Sequence, residues 1–437
     1  MADYPTDVAQ LVNVPERPCA FVNKNSGERG SALFVYEQLK KHFGADNVFD
    51  LFPEAGKPPA IEAAKEFVAA RDPDLLIVAG GDGTVSLGMD IVDAVRAAKQ
   101  IDDAAAPIAV LPMGTGNDLS RSLGFGGGYK RPLMNAEELF AARLQRIYSA
   151  HPQKVDRFSV HITLLHDNVD GSHTTPAAHH PTQAQHGSSD DAVAATPRQP
   201  HDSNEDTSAD AAVKQRPSKT PAEAAKAAAS PGAVTKIFTN YFSIGFDAKV
   251  AQQFGDFRNN NPEMCKGRVM NKMWYGCFGC HAMVSADTIP KRSLSVCLDG
   301  APAKVPSSAK AIVVANMITY AGGNVLWSDP RGRYGAPAVD DGKVEVSALE
   351  GVWHMVGVGT GTRAAKKIGQ SRSLVLYVPA NFTMQYDGEP IPAMGTKDQT
   401  VKVVIEFTGQ SLGMRVRRGN DNADNGDALP LHNEQTG

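Results

Sequence analysis

The sequence predicts an α/β N-terminal domain with a parallel sheet, followed by an antiparallel β-sandwich domain. Two runs carry the first half: "DLLIVAGG" and "PIAVLPMG" have strand length, and each ends in a glycine-rich turn. Each turn enters a helical pattern, "TVSLGMDIVDAVRAAKQ" or "DLSRSLG". Strands alternating with helices imply a parallel sheet whose ligand loops gather at the carboxyl ends of its strands. The second half instead reads as many short strands separated by turn signals, the pattern of an antiparallel domain.

Taken in order, "CAFVN" (Cys19–Asn23) reads as a buried strand, "KNSGERG" as a turn and "SALFVYEQLKKHF" as a helix. The two glycine-turn units follow, and together they predict a nucleotide-binding domain over 16–152. "KVDRFSVHITLL" then opens a β-rich, lipid-substrate domain over 153–413. From Asp167 to Pro231 the apolar residues larger than alanine and proline reduce to Val169, Val193 and Val213. Such a stretch cannot offset chain entropy by burial, so 167–231 reads as a disordered insertion hanging from a loop of the second domain. Its His173, His179, His180 and His186 read as part of a solvated low-complexity tract rather than a metal site. Strands resume with "IFTNYFSIGF", "RSLSVCLDG", "KAIVVANMITY", "GKVEVSALE", "SLVLYVPA", "TMQYDGEP" and "TVKVVIEFTG", and a disordered tail is expected over 419–437.

Composition narrows the function classes. The 437 residues carry a net charge of −4, which argues against a general nucleic-acid binder. There is no run of about 18 apolar residues to span a bilayer and no signal-peptide pattern at the start, so a cytoplasmic protein is expected. Five cysteines, an odd number, fit a reducing compartment, and the lone "CFGC" at Cys277 and Cys280 reads as ordinary thiols.

The chemistry concentrates in the glycine loops. Neither fits GxxxxGK[ST] or GxGxxG with a downstream acid, and "VGVGTGT" (Val356–Thr362) reads as a plain turn. The first loop is unusual in carrying a carboxylate, Asp82, where a helix start would face phosphate. Two unit charges about 4 Å apart interact by roughly 4 kcal/mol at an effective dielectric near 20. A helix terminus offsets only about 1 kcal/mol of that. The carboxylate becomes useful if Mg²⁺ sits between it and the phosphates, or if it takes a proton from an attacking hydroxyl. Both roles point to phosphoryl transfer. In "LPMGTGNDLSRSLGFGGGY", Gly114, Thr115 and Gly116 permit close backbone approach, Asn117 or Asp118 is expected to cap the next helix, and Asp118 offers a second metal ligand. Asn23, Ser26 and Gly27 add polar groups suited to ribose or phosphate.

"GGDGTV" with that long second loop resembles the catalytic domain of eukaryotic-type diacylglycerol kinases. The resemblance continues through "VDRF", "NYFSIGFDAKVAQQF", "NPEMCKGRVMNKMWYG", "DDGKVEV", "WHMVGVGTG" and "MQYDGEP", from about Ala20 to about Gly413 outside the insertion. It implies a two-domain lipid kinase that uses ATP and Mg²⁺ to convert membrane diacylglycerol to phosphatidic acid, with the lipid bound in an interdomain cleft. It further implies a nucleotide site lined by Asn23, Ser26, Gly80, Gly81, Gly83, Thr84, Gly114, Thr115, Gly116 and Asn117. Metal contacts would come from Asp82 and Asp118, and Glu389 of "DGE", beside Asp387, competes with Asp82 as the proton acceptor. A turn alone would also explain Asp387-Gly388.

Three features depart from the family pattern. Five scattered cysteines cannot build a pair of zinc fingers; no calcium-binding hands or pleckstrin-like extension are expected within these residues; and "VNKNSG" lacks a proline after its asparagine. Transient membrane contact is expected, and "FRNNNPEMCKGRVMNKMWYG", which interleaves Arg258, Lys266, Arg268 and Lys272 with Phe257, Trp274 and Tyr275, reads either as a segment for an anionic interface or as a solvated helix face with its aromatics in the core. The alternatives are a kinase for sphingosine, ceramide or monoacylglycerol, and a non-catalytic lipid-binding scaffold of the same fold.

Overall fold

The computed structural model describes residues 14–54, 57–99, 106–165, 233–265, 270, 273, 277–278, 289–290, 294–327 and 332–416. Expectations for the 167–231 insertion, its histidines, the 419–437 tail, Cys280, and Lys266, Arg268, Lys272, Trp274 and Tyr275 lie outside those residues.

The first half is β1 (Pro18–Val22), α1 (Arg29–Phe43), β2 (Val48–Asp50), α2 (Ile61–Arg71), β3 (Leu75–Gly80), α3 (Asp82–Lys99), β4 (Ile108–Pro112), α4 (Asp118–Ser122) and α5 (Ala136–Tyr148). Its strands lie side by side as β2-β1-β3-β4, all parallel. Every residue of β3 and β4 is buried, as a continuous apolar run demands of a strand covered on both faces. Against this sheet α3 buries Val85, Met89 and Val92, one helical stripe, and Gly88 lets it come close to Val78.

The second half begins with β5 (His151–Leu165), β6 (Val234–Phe238) and β7 (Tyr241–Gly245), then a helix, Phe246–Asn260. After it come β8 (Ser295–Leu298), β9 (Ala301–Pro302), β10 (Ala311–Ala315), β11 (Val344–Leu349) and a helix, Val352–Gly359. The described residues end with β12 (Lys366–Ser371), β13 (Ser373–Pro379), β14 (Met384–Tyr386), β15 (Glu389–Ile391) and β16 (Thr400–Arg415). One antiparallel sheet runs β12-β11-β10-β7-β14-β15. A second is built from β5, β6, β8, β9, β13 and β16. Alternate residues of the two meet in one core that includes Phe158, Ile162, Phe242, Ile244, Val346, Leu376 and Val403, so the antiparallel part is a sandwich. β5 and β6 pair antiparallel, from Phe158↔Phe238 to Ile162↔Val234.

Two features join the halves. β16 pairs with β5 from Thr400↔Leu165 to Arg415↔His151, and near its end it meets β4 in parallel at Gly413↔Ile108. The sheet of the first half therefore continues into the second. Meanwhile α3 presents a polar stripe at Ser86, Asp90 and Asp93, spaced i, i+4, i+7. Ser86 Oγ donates to Asp387 Oδ2 (3.0 Å), Asp90 pairs with Arg157, and Ser411 Oγ donates to Asp93 Oδ2 (2.5 Å).

"VGVGTGT" is not a plain turn, because the helix Val352–Gly359 runs through its first half. The buried His354 holds that helix: its Nδ1 accepts the Glu350 N–H (3.0 Å) and its Nε2 bonds the Ala364 carbonyl (2.9 Å). Cys19, Cys265, Cys277 and Cys297 are free thiols, and no helix among the described residues is long and apolar enough to cross a membrane.

Candidate active site

The loops after β1, β3 and β4 converge at the carboxyl ends of these strands. Their contact is backbone on backbone. A Cβ on Gly114 would lie 2.6 Å from the Gly81 Cα, and one on Gly80 would lie 2.4 Å from the Thr84 Cβ, so only glycine permits this approach. Asn23 holds the first loop to the second: its Nδ2 donates to Thr84 Oγ1 (3.1 Å) while its Oδ1 accepts the Asn25 N–H (3.0 Å). Ser26 Oγ faces Gly81 from the same side, 3.8 Å from where a Cβ would stand.

Asp82 is the first residue of α3, yet its carboxylate serves α4. Oδ2 accepts the Asp118 N–H (3.0 Å) and Oδ1 the Leu119 N–H (3.1 Å). The expectation that Asn117 or Asp118 caps α4 is therefore corrected, since the cap arrives from another loop. Asn117 stands at the N-cap in a left-handed conformation (φ 55°) with no side-chain cap bond. Its buried amide Nδ2 instead donates to the carbonyls of Gly114 (2.7 Å) and Gly127 (2.8 Å), closing the glycine loop from within. Thr115 and Gly116 are half-buried in that loop.

Asp118 is fully buried and reaches into the second half. Its oxygens accept the N–H groups of Gly322 (2.9 and 3.1 Å) and Gly323 (3.0 Å), and its carbonyl accepts the Thr319 hydroxyl (3.2 Å). The two carboxylates flank Gly116, where a Cβ would stand 3.2 Å from Asp82 Oδ2 and 3.5 Å from Asp118 Oδ2. Burial, followed by the Asp118 charge, pushes the Asp82 carboxyl up to about 7, and burial likewise raises Asp118.

The β14–β15 turn closes the site from the far side. Asp387 (φ 47°) and Gly388 (φ 85°) form the left-handed pair of a tight hairpin. The Asp387 carboxylate is anchored by the N–H groups of Thr239 (2.9 Å), Asn240 (2.7 Å) and Tyr241 (3.0 Å) as well as Ser86. Burial raises its carboxyl, and these donors act to lower it. The exposed Glu389 stands over the glycine turn, its Oε1 3.9 Å from a Cβ position on Gly83.

Residues far apart in sequence, Asp82, Gly83 and Glu389, thus come together at one mouth, with Asp118 buried behind Asp82 and Asn117 turned inward. Sequence reasoning missed Gly322, Gly323, Thr319 and Ser86; the pair in "YAGGN" was the available signal. Among the described residues no three His, Cys, Asp or Glu side chains form a self-sufficient metal cage. Mg²⁺ rarely needs one, binding through one or two carboxylates plus substrate phosphates. Asp82 fits that role, because each oxygen accepts one hydrogen bond and keeps a lone pair. Asp118 is more fully engaged.

A model of the diacylglycerol kinase catalytic domain matches residues 17–151, and a model of the diacylglycerol kinase accessory domain matches 237–390. Diacylglycerol kinase 1 of Arabidopsis thaliana is 27% identical over 95% of this chain and 46% of its own. Diacylglycerol kinase 4 of the same plant is 28% identical over 90% of this chain and 80% of its own. Diacylglycerol kinase zeta of Homo sapiens is 26% identical over 95% of this chain and 36% of its own. The chain spans less than half the length of Arabidopsis kinases 1 and 2. With catalytic and accessory domains matched in order over its two halves, the chain belongs to the diacylglycerol kinase family.

Proposed function

We propose that this chain transfers the γ-phosphate of ATP to the sn-3 hydroxyl of a 1,2-diacylglycerol, giving phosphatidic acid and ADP. The observation that carries the reading is the position of Glu389 over Gly83, which sets a carboxylate against a phosphate-type loop. The glycine turns and the start of α3 supply backbone donors for phosphate oxygens, with Asn23, Ser26, Thr84 and Thr115 beside them. Residues 16–152 would thus form the nucleotide-binding domain and 153–413 the lipid domain, meeting at the mouth. When bound, Mg²⁺ neutralises phosphate charge and would be held chiefly by Asp82, with Asp118 behind it.

Glu389 is the better proton acceptor of the two rivals. Its carboxylate is exposed at the mouth, while both Asp82 oxygens already receive N–H groups of α4. A hydroxyl between Glu389 and the glycine turn would lose its proton as its oxygen attacks phosphorus. Since diacylglycerol remains in the bilayer, the enzyme would work from the cytoplasm and touch the membrane transiently.

Labelled ATP supplied with micellar diacylglycerol, monoacylglycerol, sphingosine and ceramide, with and without Mg²⁺, tests the reading. Metal-dependent labelling chiefly of diacylglycerol is expected. Labelling of another lipid would keep the mechanism and change the substrate. ATP binding with no labelling at all would leave a non-catalytic scaffold.

A further inference from the structure

The helix Val352–Gly359 ("VWHMVGVG") contains no Asp, Glu, Lys or Arg, yet it is not buried all round. One side packs down: Val358, with the half-buried Val352 and Met355, joins Tyr241, Val313, Tyr320 and Leu349 on the outer face of the β12-β11-β10-β7-β14-β15 sheet. The other side leaves Trp353 69% and Val356 47% exposed, three residues apart and hence on one helical face. An exposed tryptophan on an uncharged helix is costly in water and favourable at a lipid headgroup boundary.

The rim is basic. Lys310 lies against the helix start, its Cδ 3.4 Å from a Cβ position on Gly351, and the Arg363 side chain packs on Gly357 at 2.9 Å from the corresponding position. Arg363 and Lys366 are exposed. The nearby acid, Glu350, has its carboxyl held low first by the Ser308 hydroxyl and then by Lys366, His354 and Arg363, so it stays ionised and its single negative charge leaves the rim of Lys310, Arg363 and Lys366 net positive.

The location also fits. Tyr241, in the same cluster, reaches the active-site turn, its hydroxyl 3.8 Å from a Cβ position on Gly388. From β11, which leads into the helix, to β14, which leads into that turn, is three strand steps, about 15 Å on the same sheet. The far end of the helix meets Asn324, whose Oδ1 is 2.5 Å from a Cβ position on Gly359. Asn324 belongs to the loop whose Gly322 and Gly323 hold Asp118.

We propose that Trp353 and Val356, rimmed by Lys310, Arg363 and Lys366, form the surface by which this chain seats on an anionic bilayer. The proposal rests on the reading of a membrane-lipid kinase and supplies that kinase with a docking face; the phosphatidic acid it would produce adds negative charge to the same surface.

Co-sedimentation with vesicles free of diacylglycerol and ATP tests the docking face independently of catalysis. Vesicles of phosphatidylcholine alone are compared with phosphatidylcholine mixed with phosphatidylserine, using the parent chain, Trp353→Ser and Lys366→Glu. Binding should need phosphatidylserine, fall about tenfold in Trp353→Ser, and fall about fivefold or more in Lys366→Glu. Both positions are exposed, and unchanged far-ultraviolet circular dichroism checks that each variant is folded. Phosphorylation of a water-soluble short-chain diacylglycerol should persist in Trp353→Ser; its absence from the parent chain would sink the kinase reading and leave the docking result standing. Unaltered vesicle binding in both variants would overturn the proposal. So would loss of self-association by size-exclusion chromatography in Trp353→Ser with vesicle binding intact, which would make this face a contact between copies.

Discussion

Asp82 combines two tasks that a sequence motif reports as one. In the proposed reaction its carboxylate would face metal and phosphates, and in the fold it caps the start of α4 by accepting two backbone N–H groups. Asp82→Ala should therefore abolish phosphate transfer and also lower stability by about 1–3 kcal/mol, read as a lower urea midpoint. Asp82→Asn keeps one acceptor oxygen and should lose transfer at a smaller cost in stability. An Ala variant with the parent midpoint would remove the capping role. Glu389→Gln should cut phosphate transfer at least about a hundredfold while ATP affinity stays unchanged; near-normal turnover would hand the base role to Asp82. Glu345 offers a pH test away from the site. It is 2% exposed, Gln370 donates to one oxygen (3.0 Å) and the other has no partner, and burial pushes its carboxyl up to about 7. The folded state then holds a proton that the unfolded chain releases near pH 4.5. This contribution to stability is complete below that value and is lost as pH rises toward about 7. Denaturation at about pH 5 and about pH 8 should show the fall in the parent chain and a flatter profile in Glu345→Gln. None of this was legible in "GKVEVSALE", because alternation places Glu345 on a face whose cover comes from elsewhere in the chain.

At the level of elements, the readable parts were those fixed by local pattern. β3 and β4 are apolar throughout because both faces are covered, and β7, β10, β11 and β13 alternate or run apolar as a sandwich requires. The helix Val352–Gly359 escaped because two of its eight residues are glycine and its order comes from His354 and the sheet beneath. The apolar alternation of "TVKVVIEFTG" predicts a strand ending at Gly409, yet β16 continues through a bulge at Phe407/Gly409 to Arg415. Two glycines test the packing argument in opposite directions. Gly114→Ala must push apart two loop backbones, so ATP affinity should fall at least about tenfold, measured by calorimetry. Gly255 lies inside the helix Phe246–Asn260 with nothing within 4 Å of its Cβ position. Gly255→Ala should stabilise by about 0.5–1 kcal/mol, and a destabilised variant would contradict the packing described.

Across the whole molecule, the contacts that assemble the site are long-range and polar, and such contacts leave no periodic trace. Ser86, Asp90 and Asp93 look like the solvated side of an amphipathic helix, and in the fold they dock α3 onto Asp387, Arg157 and Ser411. Asp118 meets Gly322 and Gly323 about two hundred positions away, and β16 carries the second half back to β4. A sheet and a helix shared in this way should make the described core unfold as one cooperative unit, even though two family domains can be matched along it. Calorimetry should give a single transition for the core, and two well-separated transitions would show that the shared strand and stripe carry little energy. Asp90→Ala probes the stripe directly. It removes the ion pair of the Arg157 guanidinium, whose side chain is 6% exposed, and leaves Asp93 as the neighbouring negative charge. Because the Asp90 side chain is itself half exposed, the cost should be about 1–3 kcal/mol, below the range for a fully buried pair. Since α3 begins at Asp82, a loosened stripe should also weaken ATP binding, so the melting temperature and the ATP dissociation constant should worsen together. A variant that lost stability with ATP affinity intact would show that the stripe holds the halves without setting the geometry of the mouth.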